Sequence, residues 1–180
     1  MLVAKPPSGP GWTHEVKHDG FRLLARKEGE RVTLWTRHGT NFTDRLPRVA
    51  EAVGKLSVEQ ALLDGEAVVL RPDGHSDFEA LRTNAGATRA SYVAFDLLQV
   101  NGKDIRQHPI EDRRAELERV VTRADAILFS EPIAAEGALV FRKACELGLE
   151  GIVSKRVGSI YWSGRCRNWT KARNPAFQRR

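Results

Sequence analysis

Apolar and polar residues change their period several times along this chain, and each change marks an element. THEVK (Thr13–Lys17) alternates, and FRLLARKEGERVTLWTR (Phe21–Arg37) reads as two alternating strands joined at Glu28-Gly29-Glu30. DRLPRVAEAVGKL switches to a helical period, with Leu46, Val49, Val53 and Leu56 on one face. ALLDGEAVVLRPDGH is a strand, or a pair of strands around Asp64-Gly65, closed by the turn RPDGH. DFEALRT suits a short helix, and SYVAFDLLQVNGKDI is a strong strand turning at Asn101-Gly102. HPIEDRRAELERVVTRA is the clearest helix, with Pro109 in its first turn and Glu111 and Asp112 at the favourable end of the dipole. AILFSE is a short strand. A second helix runs from about Ala135 to Leu147 and stops at Gly148. EGIVSKR and NWTKARN close the series as strands, while KPPSGPGW (Lys5–Trp12) is a Pro/Gly-rich lead-in.

Strands outnumber helices and several are joined by hairpin-like turns. The expected class is therefore α+β, with mixed, largely antiparallel sheets and flanking helices. No repeated βαβ spacing and no Gly-rich phosphate loop is present, so a bound nucleotide would need another arrangement. At 180 residues and 41% apolar, the chain suits one domain, spanning 1–180, or two small lobes around one cleft.

Charge sharpens this picture. The net charge is +6, yet Gly151–Arg180 holds Lys155, Arg156, Arg165, Arg167, Lys171, Arg173, Arg179 and Arg180 with no acidic residue. The rest of the chain is slightly acidic. A basic wall suits a polyanion; a solubilising tail is the plainer alternative. Tyr161, Trp162, Trp169 and Phe177 interleave with these charges and weigh against a purely solvated tail. Cys145, in an apolar helical pattern, is expected buried; Cys166, among basic residues, is expected exposed; two cysteines make neither a disulfide framework nor a metal site. No membrane-length apolar run or signal-peptide core occurs. The default compartment is reducing and cytoplasmic.

Four polar clusters interrupt the apolar strands: Glu15–Arg22, Asp64–Glu66, Glu150–Arg156 and Trp169–Arg173. Strand alternation puts Glu15 and Lys17 on one face, and likewise Lys171 and Arg173. In order, Lys17-x-Asp19-Gly20-x-Arg22, Thr36-Arg37-x-Gly39, Asp64-Gly65-Glu66, YVAFDLL with Phe95, Glu150-Gly-Ile-Val-Ser-Lys155 and Lys171-x-Arg173 resemble the motifs of ATP-dependent polynucleotide ligases. The resemblance covers nearly the whole chain. It is strongest to the ligase domain of bacterial end-joining enzymes, through PPSGPGWTHEVKHDGFR.

The resemblance implies the nucleotidyltransferase fold shared with mRNA capping enzymes, built around an ATP cleft. It implies Lys17 as nucleophile on the ATP α-phosphate, AMP transfer to a DNA 5′-phosphate, and sealing by the neighbouring 3′-hydroxyl. A lysine must be neutral to attack, and nearby cations or a metal lower its pKa. Asp19 would order the nucleophile loop and Gly20 would allow close backbone approach. Glu15, Arg22 and Arg37 are expected to contact the nucleotide, with Arg37 alternatively serving the DNA end. Glu66 would orient the ribose and Phe95 would stack on adenine. Lys155, Lys171 and Arg173 would face the triphosphate. Glu150, with Glu66, would hold Mg2+, or Mn2+ in its place. His14, His18 and His38 form no convincing metal set, and His18 should face away from Lys17. His75 and His108 should be exposed.

Two departures stand out. Arg173 replaces the family's second lysine in Lys-x-Lys, which should slow the first step without abolishing it. The OB-fold domain that follows in family ligases is expected to be absent from 1–180, so sealing should need a separate OB-fold domain. Expected partners are nicked or broken duplex DNA and an end-binding repair protein, in a bacterial cytoplasm near the nucleoid. Alternatives are an RNA ligase, a capping-type guanylyltransferase, or a non-catalytic nucleic-acid-binding module.

Overall fold

The structure is a computed structural model that describes residues 1–122 and 124–179; Arg180, the last of the basic segment, lies outside them. In chain order the strands are β1 (Leu2–Val3), β2 (Trp12–Val16), β3 (Phe21–Glu28), β4 (Arg31–Thr36), β5 (Gln60–Val68), β6 (Ser91–Val100), β7 (Lys103–Asp104), β8 (Ile127–Phe129), β9 (Gly151–Arg156) and β10 (Trp169–Arg173). The helices are α1 (Pro47–Gly54), α2 (Phe78–Arg82), α3 (Asn84–Ala87), α4 (Ile110–Val121) and α5 (Gly137–Glu146).

These strands make two sheets. The larger has the order β4-β3-β5-β6-β7, with β8 joining the same free edge of β6 as β7. The smaller has the order β1-β10-β9-β2. Pairing is antiparallel except for β1 with β10 and β8 with β6. The expected mixed, largely antiparallel α+β architecture is what the chain adopts, and no OB-fold is found among the described residues.

The larger sheet carries most of the core. Leu46, Val49, Val53 and Leu56, the face read from helical spacing, are all buried against it. Removing such a stripe from water is the main drive for packing a short helix whose own propensity is marginal. A smaller cluster places Val140 and Ala144 of α5 on Ile152 and Ala172 of the small sheet.

Several local expectations shift. β5 runs unbroken through Asp64-Gly65, with register irregularities there rather than a turn. Pro109 caps α4 from outside, and α5 starts at Gly137. β1 and α3 are too short for a periodic signal to reveal. Cys145 is half-buried, as is Cys166, and both thiols are free. His75 and His108 are half-buried rather than exposed. No described helix is long and apolar enough to cross a membrane.

One polar contact lies wholly inside. Arg113 of α4 and Asp96 of β6 are both 0% exposed, and their two hydrogen bonds measure 2.8 Å. Arg113 also donates to the carbonyls of His108 at 2.7 Å and Ser159 at 3.0 Å, tying the loop after β9 to the larger sheet. Arg113→Ala would strand the Asp96 carboxylate in the core. The expected loss is about 3–5 kcal/mol of unfolding free energy. Urea denaturation checks it, and a loss under about 1 kcal/mol, the scale of an exposed pair, would refute the reading.

Candidate active site

Strand β2 belongs to the small sheet and β3 to the large one. The residues between them, Lys17–Gly20, therefore carry the chain across the seam between sheets. Two backbone features hold this crossing. Lys17 N donates to Gly151 O at 3.0 Å, extending the β2–β9 ladder to its last rung. Gly20 lies so close to β5 that an added Cβ would sit 2.1 Å from Ala67 O. The motif's glycine is thus a packing requirement.

A cleft opens at the seam. The small sheet contributes Glu15, Val16, Val153, Lys155, Trp169 and Lys171, and the crossing adds Lys17 and His18. The large sheet contributes Arg22, Glu66, Val93 and Phe95, with Ser130 beyond β8.

Lys17 Nζ donates to Glu150 Oε2 at 2.5 Å, and Glu150 is only 4% exposed. The other Glu150 oxygen lies 3.4 Å from Arg173 Nε. Arg22 makes a two-point contact with buried Asp64, at 3.0 and 2.6 Å. Antiparallel register explains this: Arg22 faces Glu66 across the β3–β5 ladder, and Asp64 is two residues along on the same face. Tyr161 Oη also donates to Asp64, at 2.9 Å. Asp64, read only as part of an acidic motif, therefore orients Arg22.

A buried cluster forms the inner wall. Glu15 accepts from Arg114 at 2.7 Å, Ser130 Oγ at 2.8 Å and Lys155 Nζ at 2.9 Å. Arg114 and Lys155 both donate to Phe95 O, at 3.0 and 3.2 Å. Lys155 Nζ also lies 4.7 Å from the Phe95 ring centroid and 4.3 Å from that of Trp169. Two cations thus share one carboxylate in a buried wall. Aromatic faces and carbonyl oxygens offset part of the excess, and the remainder favours an anionic ligand. Burial lowers the Lys155 pKa, with Glu15 opposing the shift.

Opposing effects act at the other face. Burial raises the Glu66 pKa from 4.5 to about 7, while Lys17, Lys171 and Arg22 pull it down. Burial lowers the Lys171 pKa, helped by Lys17 and Arg22. Cations crowded without a full complement of acids suit a site that binds phosphate.

The expected residues mostly converge. Lys17, Arg22, Glu66, Phe95, Lys155, Lys171 and Glu15 all line the cleft. Lys155 is committed to Glu15 and the aromatic rings rather than extended toward a phosphate. Glu150 touches Lys17 from a smaller adjoining cavity, and Arg173, 53% exposed, reaches Glu150 from outside. Arg37 is exposed on the loop after β4 and does not line the cleft. His18, expected to face away, lines the cleft because strand alternation ends at Val16. His14 is a satisfied core histidine, 2.8 Å from Ser154 Oγ. Trp169, Arg114, Ser130 and Tyr161 were not read as site residues. Trp169 had a signal, sharing a strand face with Lys171; Arg114 looked like any charge on a surface helix.

Residues 4–173 match the ATP dependent DNA ligase domain. The chain belongs to that family. It is 41% identical over 175 residues to the multifunctional non-homologous end joining protein LigD of Pseudomonas aeruginosa, covering 94% of this chain and 21% of that protein. Identity to the LigD of Mycobacterium tuberculosis H37Rv is 34% over 161 residues, covering 89% of this chain and 21% of that protein. The chain therefore spans about a fifth of the length of these relatives. The crystal structure of the ligase domain of M. tuberculosis LigD superposes with a TM-score of 0.82 at 30% identity, covering 96% of this chain and 59% of that one. A mycobacterial DNA ligase D complexed with ATP and MES superposes at 0.79, with the same identity and coverage.

For a divalent metal, the donors at hand are the oxygens of Glu150 and Glu66. No group of three or more His, Cys, Asp or Glu side chains is assembled among the described residues. Carboxylate oxygens, Glu66 in the cleft and Glu150 in the adjoining cavity, are hard donors of the kind Mg2+ takes, one or two at a time, with water and phosphate completing its shell.

The shift at Glu66 has a stability consequence. Its pKa is raised on folding, so its stabilising contribution is full below pH 4.5 and lost as pH rises through about 7. Relative to the wild type, Glu66→Gln should gain on the order of 3 kcal/mol between pH 4.5 and 8, from about 1.4 kcal/mol per pKa unit. Urea denaturation of both proteins at the two pH values measures this. A constant difference would show that Glu66 ionises normally.

Proposed function

We propose that this chain is the adenylyltransferase core of an ATP-dependent DNA ligase that acts at nicks or broken ends. The observation that carries the reading is the Lys17–Glu150 pair at the seam of the sheets, beside a cleft with a cationic wall and an aromatic one. An exposed strand lysine would need no buried carboxylate 2.5 Å away.

Chemically, Lys17 Nζ gives one proton to Glu150, attacks the α-phosphorus of ATP as the neutral amine, and sheds a second proton to the departing pyrophosphate. A P–N bond forms, the bond to the bridging oxygen breaks, and pyrophosphate departs. Glu150 is positioned to take the first proton and pass it to solvent, which leaves its carboxylate ionised. A DNA 5′-phosphate oxygen then attacks the same phosphorus, restoring Lys17. Finally the 3′-hydroxyl attacks the activated end and AMP leaves. Arg22, held by Asp64, and Lys171 offset charge on the phosphates without reorganising. Phe95 offers a face to adenine, and Glu66 accepts from the ribose. Glu150 and Glu66 would hold Mg2+ or Mn2+, which when bound withdraws charge from phosphate oxygens.

The loop between β9 and β10 supports a duplex partner. Tyr161 binds Asp64, Gly158 N donates to Glu111, and Ser159 O accepts from Arg113, so the loop is anchored from within. Outward it presents Trp162, 63% exposed, flanked by Arg156, Arg165 and Arg167. Exposed aromatic and cationic side chains on an anchored loop suit phosphate and base contacts. A separate OB-fold domain would supply the remaining duplex surface for sealing.

Intact mass after incubation with ATP and Mg2+ should show one AMP added to the wild type and none to Lys17→Ala, with GTP ineffective. An adduct on Lys17→Ala would displace the nucleophile; no adduct on the wild type, even with an added OB-fold domain, would favour a binding module. Arg173→Lys should raise the rate of adduct formation several-fold, because a lysine releases the Glu150 oxygen that the guanidinium faces. An unchanged single-turnover rate would show that this position is indifferent.

A further inference from the structure

After β10 the chain turns back as a strap, Asn174–Arg179, across the residues that hold Lys17. At its start, Asn174 N donates to Glu150 O at 2.9 Å and Asn174 Nδ2 donates to Leu149 O at 3.0 Å. At its end, Arg179 forms a two-point contact with Asp19, Nε to Oδ2 at 2.7 Å and Nη2 to Oδ1 at 2.5 Å. Between them, Phe177 walls the smaller cavity that Lys17, Asp19 and Glu150 also line. The Arg179 guanidinium itself lies over Phe78, its Cζ 4.0 Å from the ring centroid.

The strap thus grips both partners of the Lys17–Glu150 pair, one through the backbone of Glu150 and the other through Asp19, two residues from Lys17. Asp19 is 3% exposed although ionisable, and among the described residues Arg179, 51% exposed, is the cation that pairs with it. A carboxylate so buried is unfavourable without a partner, so losing Arg179 strains the loop or forces it to move. Gly20 packs against Ala67 O and Lys17 N is bonded to Gly151 O, so the loop's remaining freedom lies in His18 and Asp19 between them and in the Lys17 side chain they carry. Attack geometry tolerates little displacement, since about 1 Å can cost a hundredfold in rate.

We infer that Arg179 is a positioning residue for lysine adenylylation: through Asp19 it sets where Lys17 stands against Glu150 and the incoming α-phosphate. The inference rests on the proposed adenylyltransferase reading. It gives the strap a task beyond covering the core, and it makes the path of the chain after β10 a control on the nucleophile.

The test is single-turnover adduct formation by wild type, Arg179→Ala, Arg179→Lys, Asp19→Ala and the Arg179→Ala/Asp19→Ala double variant. Arg179→Ala should lower the maximal rate about tenfold or more, with the half-saturating ATP concentration moving less than about threefold. Arg179→Lys should recover only part, because lysine keeps the charge without the fork. The double variant should be no slower than Asp19→Ala alone, since the effect passes through that carboxylate. A wild-type rate in Arg179→Ala, or losses that multiply in the double variant, would overturn the inference. Should the wild type form no adduct, lysine acylation footprinting decides instead. Greater labelling of Lys17 in Arg179→Ala, with Lys5 and Lys103 unchanged, would sustain the strap's role while the adenylyltransferase reading fails. Equal labelling would overturn the strap as well.

Discussion

Glu15 is the junction on which this molecule turns. It stands on β2 of the small sheet and accepts from Lys155 of the same sheet, while Arg114 and Ser130 reach it from elements packed on the large sheet. The carbonyl of Phe95 receives both cations from the other side. Burying three charges costs desolvation that only close, fully bonded geometry offsets, so the two sheets are held at the separation that satisfies all of them. That separation is the width of the cleft. Structure and site share one constraint.

From it the remaining arrangement follows. With the sheets set, the short crossing from β2 to β3 must bridge them, and the nucleophile candidate stands in that crossing. The large sheet supplies Arg22 and Glu66 from one ladder, and the small sheet supplies Lys171 and the partner of Lys17. An anion entering the cleft meets cations that are already bonded and oriented, which reduces the ordering cost of binding.

Much of this was legible in the sequence. The apolar set Leu46, Val49, Val53 and Leu56 followed from spacing: the 3.6 period puts Val49 and Val53 on one face of α1, and Leu46 and Leu56 flank its two ends. The paired strands around Glu28-Gly29-Glu30 and the turn at Asn101-Gly102 were equally local. Lys17, Arg22, Glu66, Phe95 and Lys171 were readable as an ordered set of motifs, and the cleft gathers them. Arg37 carried the same kind of signal, yet its loop lies away from the cleft. The motif preserves a residue's type and order, not its distance from the others.

What resisted reading was every contact between charges far apart in sequence. Arg113 and Arg114 look alike on a helix of mixed charges, but one closes on Asp96 in the core and the other completes the wall at Glu15. The fork between Arg179 and Asp19 spans nearly the whole chain. His18 enters the cleft only because β2 ends one residue before Lys17. Sequence by itself determined the local elements, the apolar faces and the identity of the chemical groups, since these depend on residue type and short-range period. The tertiary structure alone decided which charges meet, which side of the seam each serves and how Lys17 is held. Electrostatic pairing depends on distance through space, and only the packed sheets set those distances.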